Sequence, residues 1–201
     1  ASFLGSISDT LEPRASARLL EYDPATRAVR VLLDELCFPN GIAFSGDEQH
    51  LFVAETGEYR IWKVAITVHD ASARDAEKGG LPGVQLLLDK LPGYPDNLMR
   101  GQEGRIWAGL AKPRGAFVDD NAGKPWMRKL AVRLPRSMWP VPPAYGHVFA
   151  FDESGTVLAD LQDPSGAYPE TTAVTETADR LYIQSLHART LGWMEKKAAG
   201  F

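Results

Sequence analysis

The sequence predicts an all-β fold, the C-terminal part of a β-propeller. Three observations carry that expectation: turn-forming residues spread along the whole chain, a repeat about one propeller blade long, and four strand-like runs in each repeat. The 201 residues are 44% hydrophobic, with 18 glycines and 14 prolines distributed from end to end. Turn formers at such spacing suit many short strands better than long helices.

The repeat appears when the segments starting at Phe38, Tyr94 and Tyr168 are set one above another: FPNGIAFSGDEQHLFVAET, YPDNLMRGQEGRIWAGLA and YPETTAVTETADRLYIQSL. Each carries an aromatic residue, a proline, an oxygen-bearing side chain, an apolar run, a polar turn and a second apolar run. RLLEYDPATRAVRVLLDEL, RIWKVAITV with its later VQLLLDKL, and HVFAFDESGTVLADL supply the other strand pairs. Asp23-Pro24 and Asp152 to Gly155 are their turns, and the flanking runs alternate with the period of half-buried strands. Four antiparallel strands per unit is the blade of a propeller.

Taken in order, the chain holds strands C and D of one blade over 18–36, a full blade over 41–90, a second full blade over 97–161, and strands A to C of a last over 171–194. Residues 111–146 form an insertion between strands B and C of the third of these, and 1–201 reads as a single propeller domain. The last blade lacks a closing strand, and propellers close by pairing the two ends of the chain. The expectation is therefore that about two or three further blades precede this segment. A solenoid of stacked repeats is the competing architecture.

Charge and composition narrow the function classes. A net charge of -4 gives no basic footprint for nucleic acid. The single cysteine, Cys37, excludes an internal disulfide and leaves the compartment open. No apolar run approaches the roughly 18 residues that suggest a membrane span.

In an up-and-down blade the D-to-A and B-to-C loops share one face. Asn40, Asp96 and Glu170 stand at the start of strand A, nearest the axis, in three successive repeats. Equivalent positions around a rotation axis converge, and oxygen donors suit a hard cation, calcium or another divalent ion. Asn40-Gly41 taken alone also fits a simple turn pair. On the same rim lie His187 and the start of the strand that carries His147. Either imidazole could act as a general base or proton shuttle, or serve merely as a hydrogen-bonded strand end. The segment 124–139 alternates basic and apolar residues without an acidic one, which fits a lid, a membrane-surface contact or an ordered loop.

The runs RLLEYDP, LCFPNGIAFSGDEQHLFVAET, LPGYPDNL and GRIWAGL, in this order, resemble the strictosidine-synthase-like branch of six-bladed propellers, the branch that includes the adipocyte plasma membrane-associated protein. The match runs from Arg18 to Met194, and the gluconolactonases, paraoxonases and squid-type phosphotriesterases are more distant relatives. The resemblance implies a calcium at the centre of a six-bladed ring, with this chain supplying roughly its C-terminal three to four blades. It also implies Asn40, Asp96 and Asn97 as metal ligands. It departs at the glutamate on which alkaloid condensation depends. An ungapped alignment on ETADRLYI puts Thr172 there, with Glu170 two residues away.

The leading expectation is a calcium-dependent hydrolase of lactones, esters or similar small electrophiles, with Asp96, His187, His147 and Glu170 as candidate catalytic residues. A condensing enzyme using Glu170 as acid and base, and a non-catalytic propeller stabilised by its metal, are the alternatives.

Overall fold

The computed structural model describes residues 14–121, 124, 127, 133 and 142–201. Among the described residues fourteen strands form four sheets, in keeping with part of a β-propeller. The first sheet pairs β1 (Ala15–Tyr22) with β2 (Val29–Cys37) around the Asp23-Pro24 turn. The second runs β3 (Pro39–Phe44), β4 (His50–Glu55), β5 (Arg60–Ala65) and β7 (Val84–Leu88). The third runs β8 (Gly93–Arg100), β9 (Ile106–Pro113), β10 (Gly146–Phe151) and β11 (Val157–Asp163). The fourth holds β12 (Thr171–Glu176), β13 (Arg180–Ser185) and β14 (Gly192–Glu195).

The core lies between the sheets, and it corrects one expectation. The middle strands are not half-buried: β4 is buried from Leu51 to Glu55 and β10 throughout. Each middle sheet is covered on both faces, so the period-two alternation chooses between two apolar layers. Leu51, Val53, Trp62 and Val64 pack with Leu19, Leu32, Leu33 and Leu36 of the first sheet. Their neighbours Phe52, Ala54 and Ile61 pack the other way, onto Leu98, Ile106, Ala108 and Phe151. Trp107, Val148 and Ala150 then meet Val174 and Leu181 of the fourth sheet. The outer strand β11 keeps an exposed face, as do β1, β3 and β14.

The connection from β5 to β7 is more than a loop. Its two residues Ala71–Ser72 form β6, which pairs in parallel with β2 of the preceding sheet, Leu33 facing Ala71 and Asp34 facing Ser72. Ser72 then caps α1 (Ala73–Gly79), its hydroxyl accepting from the Asp75 N–H at 3.2 Å. The second blade thus covers the outer edge of the first, where an unpaired strand would be exposed.

Two glycines set how closely neighbouring sheets approach near the axis. A Cβ on Gly41 would stand 2.3 Å from the Leu98 amide nitrogen, and one on Gly109 would stand 2.2 Å from the Thr172 carbonyl carbon. These contacts join β3 to β8 and β9 to β12. The insertion begins with α2 (Ala116–Asp120), but most of 122–141 lies outside the described residues, including nearly all of the basic segment 124–139.

Candidate active-site rim

The three innermost strands share a local irregularity. Pro39 faces Glu55 and Ile42 faces Val53, so three steps on β3 oppose two on β4. The same extra residue falls between Pro95 and Leu98 on β8, and between Thr171 and Ala173 on β12. Such bulges re-aim side chains and gather beside functional sites. Here they carry Asn40, then Asp96 and Asn97, then Thr172.

The register also settles which residues are equivalent. Leu98 faces Ala108 and Arg100 faces Ile106, while Val174 faces Ile183 and Glu176 faces Leu181. Laying Ile106–Ala108 over Leu181–Ile183 places Thr172, not Glu170, at the position of Asp96. Glu170 instead matches Phe38, and both have left-handed backbones, at φ 53° and 51°. The aromatic-proline pattern had concealed a two-residue offset in the last repeat.

The structure brings Asn40 and Asp96 together. The Asn40 Nδ2 amide donates to Asp96 Oδ1 at 2.6 Å, and Asp96 is 9% exposed, while Asn40 and Asn97 face solvent. The Thr56 hydroxyl donates to the Pro95 carbonyl at 2.5 Å and fixes the loop just ahead of Asp96. Burial raises the Asp96 carboxyl above its ordinary range, and the Asn40 amide offsets this only in part. A buried carboxylate with so little compensation, beside two amide side chains, fits a hard divalent cation. Rotating the Asn40 amide would present its oxygen to such an ion. Among the described residues no three His, Cys, Asp or Glu side chains gather as a complete metal set.

Glu170 does not join that pair. Its carboxylate bridges Lys112, through Oε1, and His187 Nδ1, through Oε2. His147 points elsewhere again, its Nε2 paired with Asp160 Oδ1 on the outer strand β11 at 2.6 Å. Its own N–H donates to the Thr171 hydroxyl at 2.8 Å, which in turn donates to the His147 carbonyl. That geometry ties the third sheet to the fourth.

The rim also holds side-chain contacts that the sequence reading did not specify. Tyr59, left-handed at φ 57°, packs its ring 4.7 Å from that of Tyr94, and the Arg114 guanidinium lies 4.5 Å from the Tyr59 ring centre. Arg114 Nε bonds Asp119 of α2 at 2.9 Å, so the cluster anchors the start of the insertion. Burial pushes the Tyr59 hydroxyl up and keeps it protonated. The only signals in the sequence were the aromatic that opens each repeat and a tyrosine in the β4–β5 loop. A cavity of about 230 Å³ lies away from Asp96, between the first two sheets, against Cys37, Glu55, Arg60 and Trp62.

Comparison with known proteins bears on the family and the fold. The strictosidine synthase family model matches residues 2–68. The human adipocyte plasma membrane-associated protein is 33% identical over 162 residues, which cover 78% of this chain and 36% of that protein. A gluconolactonase from Xanthomonas campestris superposes with a TM-score of 0.54 at 21% identity, covering 90% of this chain and 44% of that one. Regucalcin from Agrobacterium tumefaciens, described as a calcium-binding protein, gives 0.53 at 19%, covering 89% and 47%. The chain therefore spans less than half the length of each of these proteins. With the repeat, the bulged inner strands and these likenesses in hand, the chain belongs to the strictosidine-synthase-like family and shares the propeller fold of the gluconolactonase and regucalcin structures.

Proposed function

We propose that this chain is part of a lactone or ester hydrolase that works with a divalent cation, calcium by preference. The observation that carries the reading is the buried Asp96 carboxylate, bonded to the Asn40 amide at matching bulges of two neighbouring blades. Asn40, Asp96 and Asn97 would hold the ion, which when bound supplies a positive charge to polarise a carbonyl and stabilise the oxyanion. The rim does the rest. Asp96 would orient the ion, His187 beside Glu170 is the candidate general base, and Arg114 ties α2, within the 111–146 insertion, to Tyr59 on the rim. Support also comes from the likeness to a gluconolactonase and to a calcium-binding regucalcin.

Alkaloid-type condensation finds less support, because Thr172 occupies the position of Asp96 in the last blade and both Glu170 oxygens are already engaged. The test is an assay of the full-length protein against aryl esters and lactones, in calcium and in chelator. Turnover that chelation abolishes and calcium restores is the expected result. If chelation lowers the melting temperature but nothing in the panel is hydrolysed, the protein is a metal-stabilised scaffold and the proposal fails.

A further inference from the structure

We propose that Thr56 is the positioning residue that sets Asn40 against Asp96 across the seam between the second and third sheets. The role rests on the divalent-cation reading above, because its effect is on the spacing of two ligands. Thr56 is 5% exposed and opens the short turn Thr56–Glu58 between β4 and β5. Its two donors leave in different directions. The backbone N–H donates to the Phe38 carbonyl at 3.1 Å, two residues ahead of Asn40, and the hydroxyl donates to the Pro95 carbonyl at 2.5 Å, one residue ahead of Asp96. One residue thus holds both entry segments.

The residues on either side of Thr56 reinforce it. Glu55 is buried, and its carboxylate accepts the Cys37 N–H on Oε1 and Trp62 Nε1 on Oε2, both at 2.6 Å. At the other end of the turn the Tyr59 carbonyl accepts from the Leu91 N–H at 2.9 Å, and the Tyr59 ring packs against Tyr94. The turn is therefore anchored on Cys37 and Phe38 of its own blade and on Leu91, Tyr94 and Pro95 at the entry to the next. A shift of either segment must break one of these bonds.

The hydroxyl is an addition to the repeated framework. Pro39 faces Glu55, Pro95 faces Leu110 and Thr171 faces Ser185, which makes Ala111 and Leu186 the counterparts of Thr56. In the last blade the backbone bond recurs: the Leu186 N–H donates at 3.1 Å to the carbonyl of Glu170, the counterpart of Phe38. Neither alanine nor leucine can supply the second, side-chain bond. A blade can therefore be built without the hydroxyl, and the hydroxyl stands at the seam where the Asn40 amide meets the Asp96 carboxylate. What the fold takes from this position is the N–H; what threonine adds is a fixed Pro95–Asp96 peptide. Groups that orient metal ligands in this way typically set metal affinity by about 10–100-fold.

Calorimetric titration of calcium into the full-length protein, well below its melting temperature, tests the role without any substrate. Thr56→Val keeps the shape and removes the hydroxyl; it should raise the calcium Kd by about tenfold or more, and Thr56→Ser should return it to within about twofold of the wild type. Thr177→Val is the control. It removes a hydroxyl that donates to the Arg180 carbonyl and accepts the Arg180 N–H, both at 3.1 Å, in the turn after β12 on the opposite face of the ring. It should lower the melting temperature and leave the calcium Kd within about twofold. An unchanged Kd in Thr56→Val overturns the proposal, and so does an equal rise in Thr177→Val, which would mean a general loosening of the blades. If Thr56→Val does not fold, Thr56→Cys takes its place, with a weakly donating thiol, an expected rise of about threefold and the same overturning results. A wild type that binds no calcium, with neither heat nor a rise in melting temperature, overturns the divalent-cation reading itself and the role of Thr56 with it.

Discussion

Asp96 and Glu176 are both buried carboxylates on innermost strands, one at the start of β8 and one at the end of β12, and so on opposite faces of the ring. Their surroundings are opposed. Glu176, with a side chain 0% exposed, accepts from Arg105 Nη2 at 2.7 Å, Lys196 Nζ at 2.7 Å, Trp107 Nε1 at 2.8 Å and the Gln102 N–H at 3.0 Å. Burial pushes its carboxyl up, but the hydrogen bonds of Arg105, Lys196 and Trp107 outweigh that and hold it at about 2. Asp96 has Asn40, and burial prevails. One carboxylate is saturated by its own protein and locks two blades. The other is left with capacity for a ligand, which is what separates a structural charge from a binding one.

The largest effect that could break this contrast lies at Glu176. Replacing it with Ala leaves Arg105 and Lys196, with side chains 7% and 10% exposed, buried without their partner. Removing one partner of a buried pair typically costs about 3–5 kcal/mol, readable as a shift in the denaturant midpoint. The pH dependence has a fixed sign. A folded pKa of about 2, below the ordinary glutamate range, means that Glu176 stabilises fully above the unfolded value and progressively less as pH falls toward 2. Melts between pH 5 and pH 2.5 should show that loss, and a Glu176→Gln variant should flatten it. An equally steep profile in the variant would assign the acid lability to other groups.

Next in size is the close approach that brings the binding pair together. Gly41→Ala puts a methyl group 2.3 to 2.6 Å from the backbone of Asp96, Asn97 and Leu98. Overpacking of this kind costs about 1–3 kcal/mol, and here it should also separate Asn40 from Asp96 and weaken calcium-induced stabilisation. A variant with lowered stability and unchanged calcium response would show that the strand spacing and the ligand pair are independent.

Asp96 itself should respond with the opposite sign to Glu176. Its raised pKa means that folding favours the protonated acid, so Asp96 opposes stability as pH rises above its unfolded range. Asp96→Asn without metal should therefore be neutral or stabilising by about 1 kcal/mol, while the rise in melting temperature on adding calcium should disappear. Loss of stability in chelator would mean that the carboxylate is already satisfied and is not a vacant ligand position.

These contrasts were unevenly legible in the sequence. Strand positions could be read because turn residues punctuate every run and because the Asn-Gly and Asp-Asn pairs recur at the start of strand A. Asn40 and Asp96 followed from that recurrence. Glu170 was misplaced by two residues because the Tyr168-Pro169 pair that opens the last repeat lies two positions further ahead of the strand register than Phe38-Pro39 and Tyr94-Pro95 do in theirs. Lys112 and Arg114 could not be found at all, since their partners lie 58 residues away in one case and in a neighbouring loop in the other. Glu176 reads as one more polar turn residue. Its importance comes from Arg105 and Lys196, which only the stacking of blades brings to it.

The smallest effect tests the histidine that the structure separates from the rim. His147 Nε2 reaches Asp160, whose side chain is 49% exposed on the outermost strand, and Asp160 also accepts from Gln162 at 2.8 Å. An exposed partner of this kind is worth about 0.2–1 kcal/mol, so Asp160→Asn should change stability by no more than that. If His147 acts only as a tie between sheets, kcat should stay within about twofold, because the Thr171 bonds that fix its backbone do not involve Asp160. A larger fall in kcat with stability intact would make Asp160 the partner that orients a catalytic His147, and would move the reacting centre outward from Asp96 toward the β10–β11 edge.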